Sequence, residues 1–255
     1  PVTLDSSIRD AVDLLRSARR LTVLTGAGVS RESGIPTFRD SLEGIWAQFD
    51  PMKLATPTAF RQDPALVWDF YHHRRGMIAS ALPNPGHLAL AALEKRFGAY
   101  PLITQNIDSL HEKAGSTNII HLHGMLNRDK CFANCQGDPT LIDISTLPDR
   151  DSSPPKCPHC GAYVRPDVVW FEELLPNREL RAADAALTCD VILVVGTSGV
   201  VAPAAMMPFI AKNRGAKLIE VNPNASEITD DADVWIAAPS GEAMPRVVKL
   251  LDEHA

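Results

Sequence analysis

Residues 191–195 (VILVV) form an unbroken apolar run, and this run constrains the fold more than any other feature of the chain. A half-exposed strand alternates apolar and polar side chains, whereas a strand buried on both faces needs no alternation. Burial on both faces requires a sheet that helices cover on each side, as in α/β proteins with parallel strands. The run ends at Gly196-Thr197-Ser198, where such sheets bind ligands.

Other short β-rich runs alternate with helical stretches along the chain. The predicted strands cover residues 21–25, 101–104, 119–122, 168–171, 191–195, 217–221 and 234–237. This alternation predicts an α/β fold with a mostly parallel sheet covered by helices on both faces. The length of 255 residues allows one large domain that carries a small insertion.

Two segments interrupt the alternation and are predicted to be insertions. Residues 41–80 have helical periodicity, with Trp68, Tyr71 and Arg75 at helical spacing. Residues 126–164 are too polar and too rich in proline to form a core of their own, so we expect a metal to organise them. The large domain then comprises residues 1–40, 81–125 and 165–255, and the two insertions form a small second domain.

Four of the five cysteines form two close pairs, Cys131 with Cys135 and Cys157 with Cys160. Two close pairs separated by a loop suit tetrahedral coordination of one Zn²⁺ by four thiolates, and a closed site of this kind is structural. The first pair departs from the common pattern, because three residues lie between its cysteines where two are usual. Cys189 lies in an apolar segment and is predicted to be a buried thiol. This usage favours a metal site over a disulfide framework and indicates a reducing compartment.

Charge and hydropathy restrict the partners. The net charge is −6, whereas a nucleic-acid binder needs a surplus of Lys and Arg on one face, so no nucleic acid is expected. No stretch of 18 apolar residues is present and the N-terminus lacks a secretory pattern, so no membrane partner is expected. We expect a monomer in the cytoplasm, or in an organelle matrix if a targeting segment was removed.

The first predicted strand runs directly into a turn that contains Gly26, Ala27 and Gly28. Glycines in this position let backbone amides approach phosphate oxygens. A hydride-transferring dehydrogenase would have a third glycine where Arg31 stands. The turn therefore indicates a nucleotide phosphate site but disfavours a standard dehydrogenase.

Several short motifs occur in one order near predicted strand ends, namely residues 26–30 (GAGVS), 34–39 (GIPTFR), 104–108 (TQNID) and 123–124 (HG). In this combination the chain resembles the sirtuins over nearly its whole length. The resemblance implies a Rossmann-like large domain, a small zinc-binding and helical domain, and a cleft between them that holds NAD and an acyl-lysine. It also implies an NAD-dependent lysine deacylase that acts on acylated proteins or peptides.

The resemblance assigns contacts to the NAD co-substrate. Residues 26–28 and Arg39 are expected to hold the phosphates, and Phe38 is expected to cover the reactive ribose. Residues 105 and 106 are expected to orient the nicotinamide ribose and a water, and residues 107 and 108 to contact the carboxamide. The expected NAD-binding residues are Gly26, Ala27, Gly28, Pro36, Phe38, Arg39, Gln105, Asn106, Ile107, Asp108, Gly196, Thr197, Ser198, Asn222 and, near the adenine, Ser240.

His123 follows an apolar strand and precedes a glycine, so its imidazole can face a cleft at the strand end and accept a proton. His121, two residues earlier, is the rival, but the family pattern places the base directly before the glycine. The resemblance implies that the acyl oxygen attacks the ribose C1′ as nicotinamide leaves. His123 then deprotonates a ribose hydroxyl, with Asn106 as the second catalytic residue, and the products are free lysine, nicotinamide and O-acyl-ADP-ribose.

Tyr71 and Arg74 lie three residues apart on a predicted helix and therefore share a face. With Ala55 nearby in the sequence, this pattern resembles the class III sirtuins, whose members favour succinyl and malonyl groups. A guanidinium fork and a phenol hydroxyl are a fitting receptor for a carboxylate. The small Ala55 is expected to leave room for the longer acyl chain, and deacetylation is expected as a weaker or additional activity.

Val169 and Phe171 are expected to line the channel for the acyl-lysine. Directly after them the chain has Glu172, where sirtuins usually have glycine. This departure predicts that the peptide backbone binds differently from the family pattern.

Two alternatives stay open at this point. Mono-ADP-ribosyl transfer would use the same NAD site, and a non-catalytic zinc- and nucleotide-binding module would leave His123 with a structural role. NAD turnover distinguishes the module from either enzyme, because a binder consumes no NAD.

Overall fold

The structure is a computed structural model that describes residues 3–37, 40 and 46–253. Within these residues the strands form two sheets. The strands are β1 (Leu21–Thr25), β2 (Leu102–Thr104), β3 (Ile119–His121), β4 (Gly124–Cys131), β5 (Leu141–Ile142), β6 (Val164–Val168), β7 (Val191–Val195), β8 (Lys217–Val221) and β9 (Val234–Ile236). A parallel six-stranded sheet has the order β3-β2-β1-β7-β8-β9, and a smaller antiparallel sheet has the order β5-β4-β6.

Helices fill most of the connections between these strands. The α-helices are α1 (Leu4–Ser17), α2 (Gly28–Arg31), α3 (Pro51–Leu54), α4 (Pro57–Gln62), α5 (Pro64–Ala79), α6 (Pro85–Phe97), α7 (Leu110–Ala114), α8 (Asn177–Ala186), α9 (Met207–Asn213) and α10 (Ser240–Asp252). Among the helices that the structure describes, none has both the length and the apolar character that crossing a membrane requires.

The order in which the chain adds strands to the main sheet reverses between β1 and β7, the two central strands. From β1 the chain moves outward through β2 to β3, and it later returns to β7, beside β1, before moving outward the other way. β1 and β7 pair along their full lengths, from Leu21 with Val191 to Thr25 with Val195. The carboxyl ends of β1 and β7 therefore meet at the topological switch point, where open α/β sheets bind ligands.

Helices cover both faces of this sheet. One core cluster joins β1 and β7 to α1, α6 and α10, and a second joins the opposite face to α8 and α9. β7 is buried at all five positions, because both faces lie under helices. The predicted α/β fold with a parallel, doubly covered sheet is confirmed.

A second body of structure, which we call the helical lobe, consists of α3, α4 and α5. Its core cluster includes Phe60, Phe70 and Tyr71 and extends to Trp170, just beyond β6. Arg75 on α5 forms a 2.9 Å ion pair with Asp129 on β4, which ties the helical lobe to the antiparallel sheet. The predicted domain limits near residues 40, 80, 125 and 164 stay a prediction, although β4 already begins at residue 124.

The predicted strand at residues 168–171 is wrong. The strand in this region is Val164–Val168, and it pairs antiparallel with β4 instead of joining the parallel sheet. The apolar residues after Val168 are explained by a different kind of burial. Trp170 packs against Phe60 and Tyr71 in the helical lobe, and Phe171 lies at the edge of a cavity.

Candidate active site

The loops that follow β1 and β7 meet backbone to backbone at the switch point. Gly28 N donates to Gly196 O at 2.8 Å. A Cβ atom on Gly26 or Gly28 would lie 2.7 Å from Gly196 O. One on Gly196, which has φ +63°, would lie 2.5 Å from Val29 N. The contact leaves no room for side chains, so the two loops present main-chain groups to the ligand side. We call this surface, formed by the loops after β1 and β7, the floor.

Gln105 and Asn106 follow β2 and reach across this floor. Gln105 Nε2 donates to Thr197 Oγ1 at 3.0 Å. Asn106 Nδ2 donates to Gly26 O at 3.0 Å, and Asn106 is buried. The two amide side chains therefore connect the loops after β1, β2 and β7, and their remaining polar atoms can meet a ligand.

The loop after β8 completes the floor on its far side. Asn222 Nδ2 donates to Thr197 O at 2.9 Å, so the loops after β7 and β8 are joined. Ser198 lies beside them on the same cavity wall. These polar groups lie on the opposite side of the floor from β2 and can bind the second half of a dinucleotide.

Asp108 is a buried carboxylate that lines the cavity. It accepts hydrogen bonds from Ser30 Oγ at 2.8 Å and from Leu110 N at 2.9 Å. Burial raises the pKa of Asp108, although both hydrogen bonds act in the opposite direction. The carboxylate is thus fixed in position and can accept a hydrogen bond from an amide group of a ligand.

Two buried histidines lie behind this carboxylate. His87 Nε2 is 3.4 Å from Ser30 Oγ, and His111 Nε2 is 2.9 Å from Thr25 Oγ1. Burial lowers the pKa of His87 to about 4 and that of His111 to about 3. Both rings are therefore neutral at pH 7, and they support the hydroxyl groups without adding positive charge.

Sequence reasoning missed both histidines and did not include Ser30 among the site residues. A histidine on an apolar helix is more often a core residue than a functional one, so periodicity alone gives no warning. One local signal was present. Asn84 caps α6, and its main-chain N donates to His87 Nδ1 at 3.2 Å. That capping pattern places His87 at a predictable point of the first helical turn.

His123 lies in the turn between β3 and β4 and faces the cavity. Its Nδ1 is 2.9 Å from Gln105 O, and a carbonyl oxygen can only accept, so Nδ1 carries the hydrogen. The Nε2 of the neutral ring is then free to accept a proton. Burial lowers the pKa of His123 below its ordinary value of 6.5, which the bond to Gln105 partly offsets. The imidazole is therefore an unprotonated base at pH 7.

The rival His121 has a different environment. Its Nε2 contacts a carboxylate oxygen of Glu112, and its Nδ1 lies 3.5 Å from Asn106 O. It is not among the residues that line the cavity. His121 is therefore placed to support the loop after β2, whereas His123 is placed to meet a ligand.

Tyr71 and Arg74 occupy the wall that α5 contributes. Tyr71 is 2% exposed and Arg74 is 5% exposed, so both polar groups lie deep in the cavity wall. Burial raises the pKa of Tyr71 and lowers the pKa of Arg74, and the nearby charge of Arg74 partly offsets the shift of Tyr71. The phenol is therefore neutral and can donate a hydrogen bond.

Two main-chain hydrogen bonds connect this wall to the base. Val169 N donates to His123 O at 2.8 Å, and Phe171 N donates to Ala55 O at 2.9 Å. The segment that contains Val169 and Phe171 thus runs from the turn that carries His123 to the helical lobe. It forms one side of a passage between His123 and the buried groups on α5.

Most of the predicted site residues line one cavity of about 1370 Å³. Pockets for a single drug-sized molecule are roughly 300–1,000 Å³, so this cavity can hold two ligands together. The predicted site residues that line it are Gly26, Ala27, Gly28, Pro36, Ala55, Tyr71, Arg74, Gln105, Asn106, Ile107, Asp108, His123, Val169, Phe171, Gly196, Thr197, Ser198 and Asn222.

Three predicted residues stand apart from this set. Phe38 and Arg39 lie outside the described residues. Ser240 is buried at the start of α10, and its Oγ is 3.5 Å from Glu32 Oε2, which also accepts from Gly241 N at 2.8 Å. The structure thus gives Ser240 a contact at a helix start away from the cavity, and its NAD contact stays a prediction.

The four paired cysteines form a second site, in the antiparallel sheet and its loops. Their sulfurs lie within 4.8 Å of one another. Cys131 Sγ is 3.5 Å from Cys160 Sγ, and Cys135 Sγ is 3.9 Å from Cys157 Sγ. Thiolates about 2.3 Å from one tetrahedral Zn²⁺ are separated by similar distances, so the cluster fits a single zinc ion. The predicted zinc ligand set is therefore brought together.

Known proteins with related sequences and structures identify the family. The Sir2 family model matches residues 26–203. NAD-dependent protein deacylase 1 of Pseudomonas aeruginosa is 48% identical over 95% of this chain and 98% of its own length. The crystal structure of a Sir2 homologue–NAD complex has 42% identity and a TM-score of 0.87, covering 96% of this chain and 94% of that one.

A third comparison concerns the second ligand. A Sir2 protein solved with a deacetylated p53 peptide and 3′-O-acetyl-ADP-ribose has 32% identity and a TM-score of 0.83, covering 95% of this chain and 98% of that one. The parallel sheet, the four-cysteine cluster and these matches agree. The chain belongs to the Sir2 family, as its motifs predicted.

We predict that His123→Ala lowers catalytic turnover by about 10²–10⁴-fold, because it removes a positioned general base. His121→Ala is the matched control and should keep most of the activity, because His121 lies outside the cavity. The measurement is nicotinamide release from NAD with an acyl-lysine peptide, together with NAD affinity by calorimetry. Near-normal turnover of the His123 variant would show that another group is the base.

We predict that Cys157→Ser lowers the zinc content and the thermal stability, because a hydroxyl is a poor zinc ligand and the metal would join separate points of the cysteine-bearing loops. Cys189→Ala is the control, since Cys189 is buried in the main core and should leave the zinc in place. Metal analysis and thermal unfolding provide the two measurements. A wild-type protein without stoichiometric zinc would contradict the assignment.

Proposed function

We propose that this chain is an NAD-dependent protein lysine deacylase that prefers succinyl and malonyl groups to acetyl. One observation carries the proposal. The buried pair Tyr71 and Arg74 lines the same cavity as His123 and the main-chain floor of Gly26 and Gly196. A nucleotide site, a base and a receptor for a carboxylate are therefore within reach of one bound acyl-lysine.

Each part of the cavity has a separate task in this proposal. NAD supplies the ADP-ribosyl group and nicotinamide as the leaving group. Main-chain groups of the floor bind its phosphates, while Gln105 and Asn106 orient the ribose beside them. His123 accepts a proton from a ribose hydroxyl at Nε2, because Nδ1 is engaged by Gln105 O. Asp108 accepts a hydrogen bond from the carboxamide.

Arg74 and Tyr71 explain the choice of acyl group. Burial disfavours the charged form of Arg74. An incoming carboxylate adds an opposite charge and can accept hydrogen bonds from both the guanidinium and the phenol. Succinyl and malonyl groups carry such a carboxylate, whereas an acetyl group does not. The interaction therefore favours acidic acyl groups over acetyl.

We further propose that the enzyme is a monomer that acts on acylated proteins. We also propose that it works in a reducing compartment, the cytoplasm. The cysteines support the reducing compartment. The five cysteines are free, and four of them form the zinc cluster. Thiolate ligands of this kind persist where disulfides do not form.

We predict that Arg74→Met lowers kcat/KM for a succinyl-lysine peptide by about 10- to 100-fold. The reason is the loss of a charge-assisted hydrogen bond, which is typically worth about 1.5–3 kcal/mol. Deacetylation of the same peptide should stay level or rise, because the acetyl group makes no such bond. Tyr71→Phe should act in the same direction with a smaller effect. The measurement is kcat/KM for succinyl and acetyl forms of one peptide.

Arg61→Met is the matched control, because Arg61 is on α4 of the same lobe but does not line the cavity. It should leave the ratio of desuccinylation to deacetylation unchanged. If Arg74→Met weakens both reactions equally, this face of α5 supports the fold and does not read the acyl group.

A further inference from the structure

Glu172 lies at the mouth of the passage, at a backbone conformation that side chains rarely adopt. Its φ is +73°, in the left-handed region. Only two other non-glycine residues among those described have positive φ, Ala99 and Asn134. A glutamate here is unfavourable for the backbone, so its presence is better explained by its side chain than by the turn.

The carboxylate of Glu172 is held by one hydrogen bond and is not neutralised by a cationic side chain of the described residues. Glu172 Oε2 accepts a hydrogen bond from Thr58 Oγ1 at 2.8 Å, across the gap between the turn after β6 and the helical lobe. Within the described part of the chain, no Lys, Arg or His forms an ion pair with Glu172. The residue is exposed, so its second carboxylate oxygen can accept a further hydrogen bond from outside the protein.

The neighbouring Glu173 shows the contrast. Glu173 forms two hydrogen bonds with Arg165, at 2.5 and 2.9 Å, and accepts a third from Trp170 N at 2.8 Å. Its charge is neutralised within the turn. Of these two consecutive carboxylates, Glu172 is therefore the one without a cationic partner among the described residues.

Exposure increases along the passage from its inner end to its mouth. Tyr71 and Arg74 are 2% and 5% exposed, whereas Phe171 is 39% and Leu174 is 94% exposed. All four line the same cavity as Glu172. An acyl group that reaches the inner end must leave the peptide main chain outside, across Phe171, Glu172 and Leu174. The residues beside the acyl-lysine therefore pass close to the Glu172 carboxylate.

We propose that Glu172 is a specificity-determining residue that selects substrates with Lys or Arg directly beside the acyl-lysine. This inference rests on the proposed deacylase function. A cationic neighbour forms a charge-assisted hydrogen bond with the free carboxylate oxygen, and an acidic neighbour is repelled. Thr58 fixes the carboxylate beforehand, which lowers the entropy lost when the substrate binds.

The test uses succinyl-lysine peptides that differ only in the residues beside the acyl-lysine, which are Arg, Ala or Glu. Steady-state kcat and KM are measured for wild type and for Glu172→Gln, which keeps the side-chain shape and loses the charge. The wild type should favour the Arg peptide over the Glu peptide by about 5- to 10-fold in kcat/KM, mainly through KM. Exposed charge pairs have effects of this size when attraction and repulsion combine. Glu172→Gln should reduce the preference to less than about 2-fold, with the change again mainly in KM.

Two further variants make the result specific. Glu172→Gly should lose the preference as well and should fold, because glycine adopts φ +73° readily. Glu242→Gln removes one negative charge on α10, away from the cavity, and should keep the full preference. Raising the salt concentration should weaken the preference of the wild type and of Glu242→Gln, and should change little in the two Glu172 variants.

The possible failures are distinguishable. Equal use of the Arg and Glu peptides by wild type, or a preference that survives in Glu172→Gln, would overturn the role of Glu172 and leave the deacylase function standing. A preference that Glu242→Gln also removes would assign it to the overall charge of the protein. If wild type with NAD deacylates none of these succinyl-lysine peptides, the proposed desuccinylase function is wrong, and the role of Glu172 is wrong with it.

Discussion

The close approach of Gly28 and Gly196 is the constraint on which the rest of the site depends. Parallel pairing of β1 with β7 brings their carboxyl ends to one point, and only residues without a side chain allow the two loops to touch. The main-chain floor follows from that contact. Gln105 and Asn106 bond across it, and Gln105 O in turn orients the ring of His123. A side chain at either glycine would therefore displace His123 as well as the glycine turn that we propose binds phosphate.

The second constraint is the position of the helical lobe and the antiparallel sheet over this floor. Arg75 ties α5 to β4, the four cysteines gather the loops of the sheet, and Phe171 N bonds to Ala55 O. These contacts place the buried polar pair of α5 opposite the base. In the proposed function, the loops of the parallel sheet carry the reaction chemistry, and the smaller elements determine which acyl group and which flanking residues are accepted.

Sequence reasoning succeeded where one physical requirement determines a local pattern. A short, β-branched apolar run without alternation that ends at a glycine turn predicts a doubly covered strand, and two close cysteine pairs suit one tetrahedral ion. It failed where one sequence pattern fits two structures, a buried strand or a loop that packs its apolar side chains on another element. The apolar residues after Val168 looked like a strand, yet they line a cavity and pack on the helical lobe. His87 and His111 were missed because a buried neutral histidine in a polar network has the same sequence signature as a core histidine. The left-handed backbone conformation of Glu172 could not be predicted either, because the turn imposes it and a glutamate in the sequence does not indicate it.

The most direct test of the account is product analysis of a single reaction. Purified protein is incubated with NAD and a succinyl-lysine peptide, and all products are quantified by mass spectrometry. The account predicts equimolar nicotinamide, unmodified lysine peptide and succinyl-ADP-ribose. The reason is that one cavity would hold both substrates, and His123 would accept the proton of the ribose hydroxyl that receives the succinyl group. A peptide that keeps its succinyl group while an ADP-ribosyl group appears on protein or peptide would contradict it, as would unchanged NAD.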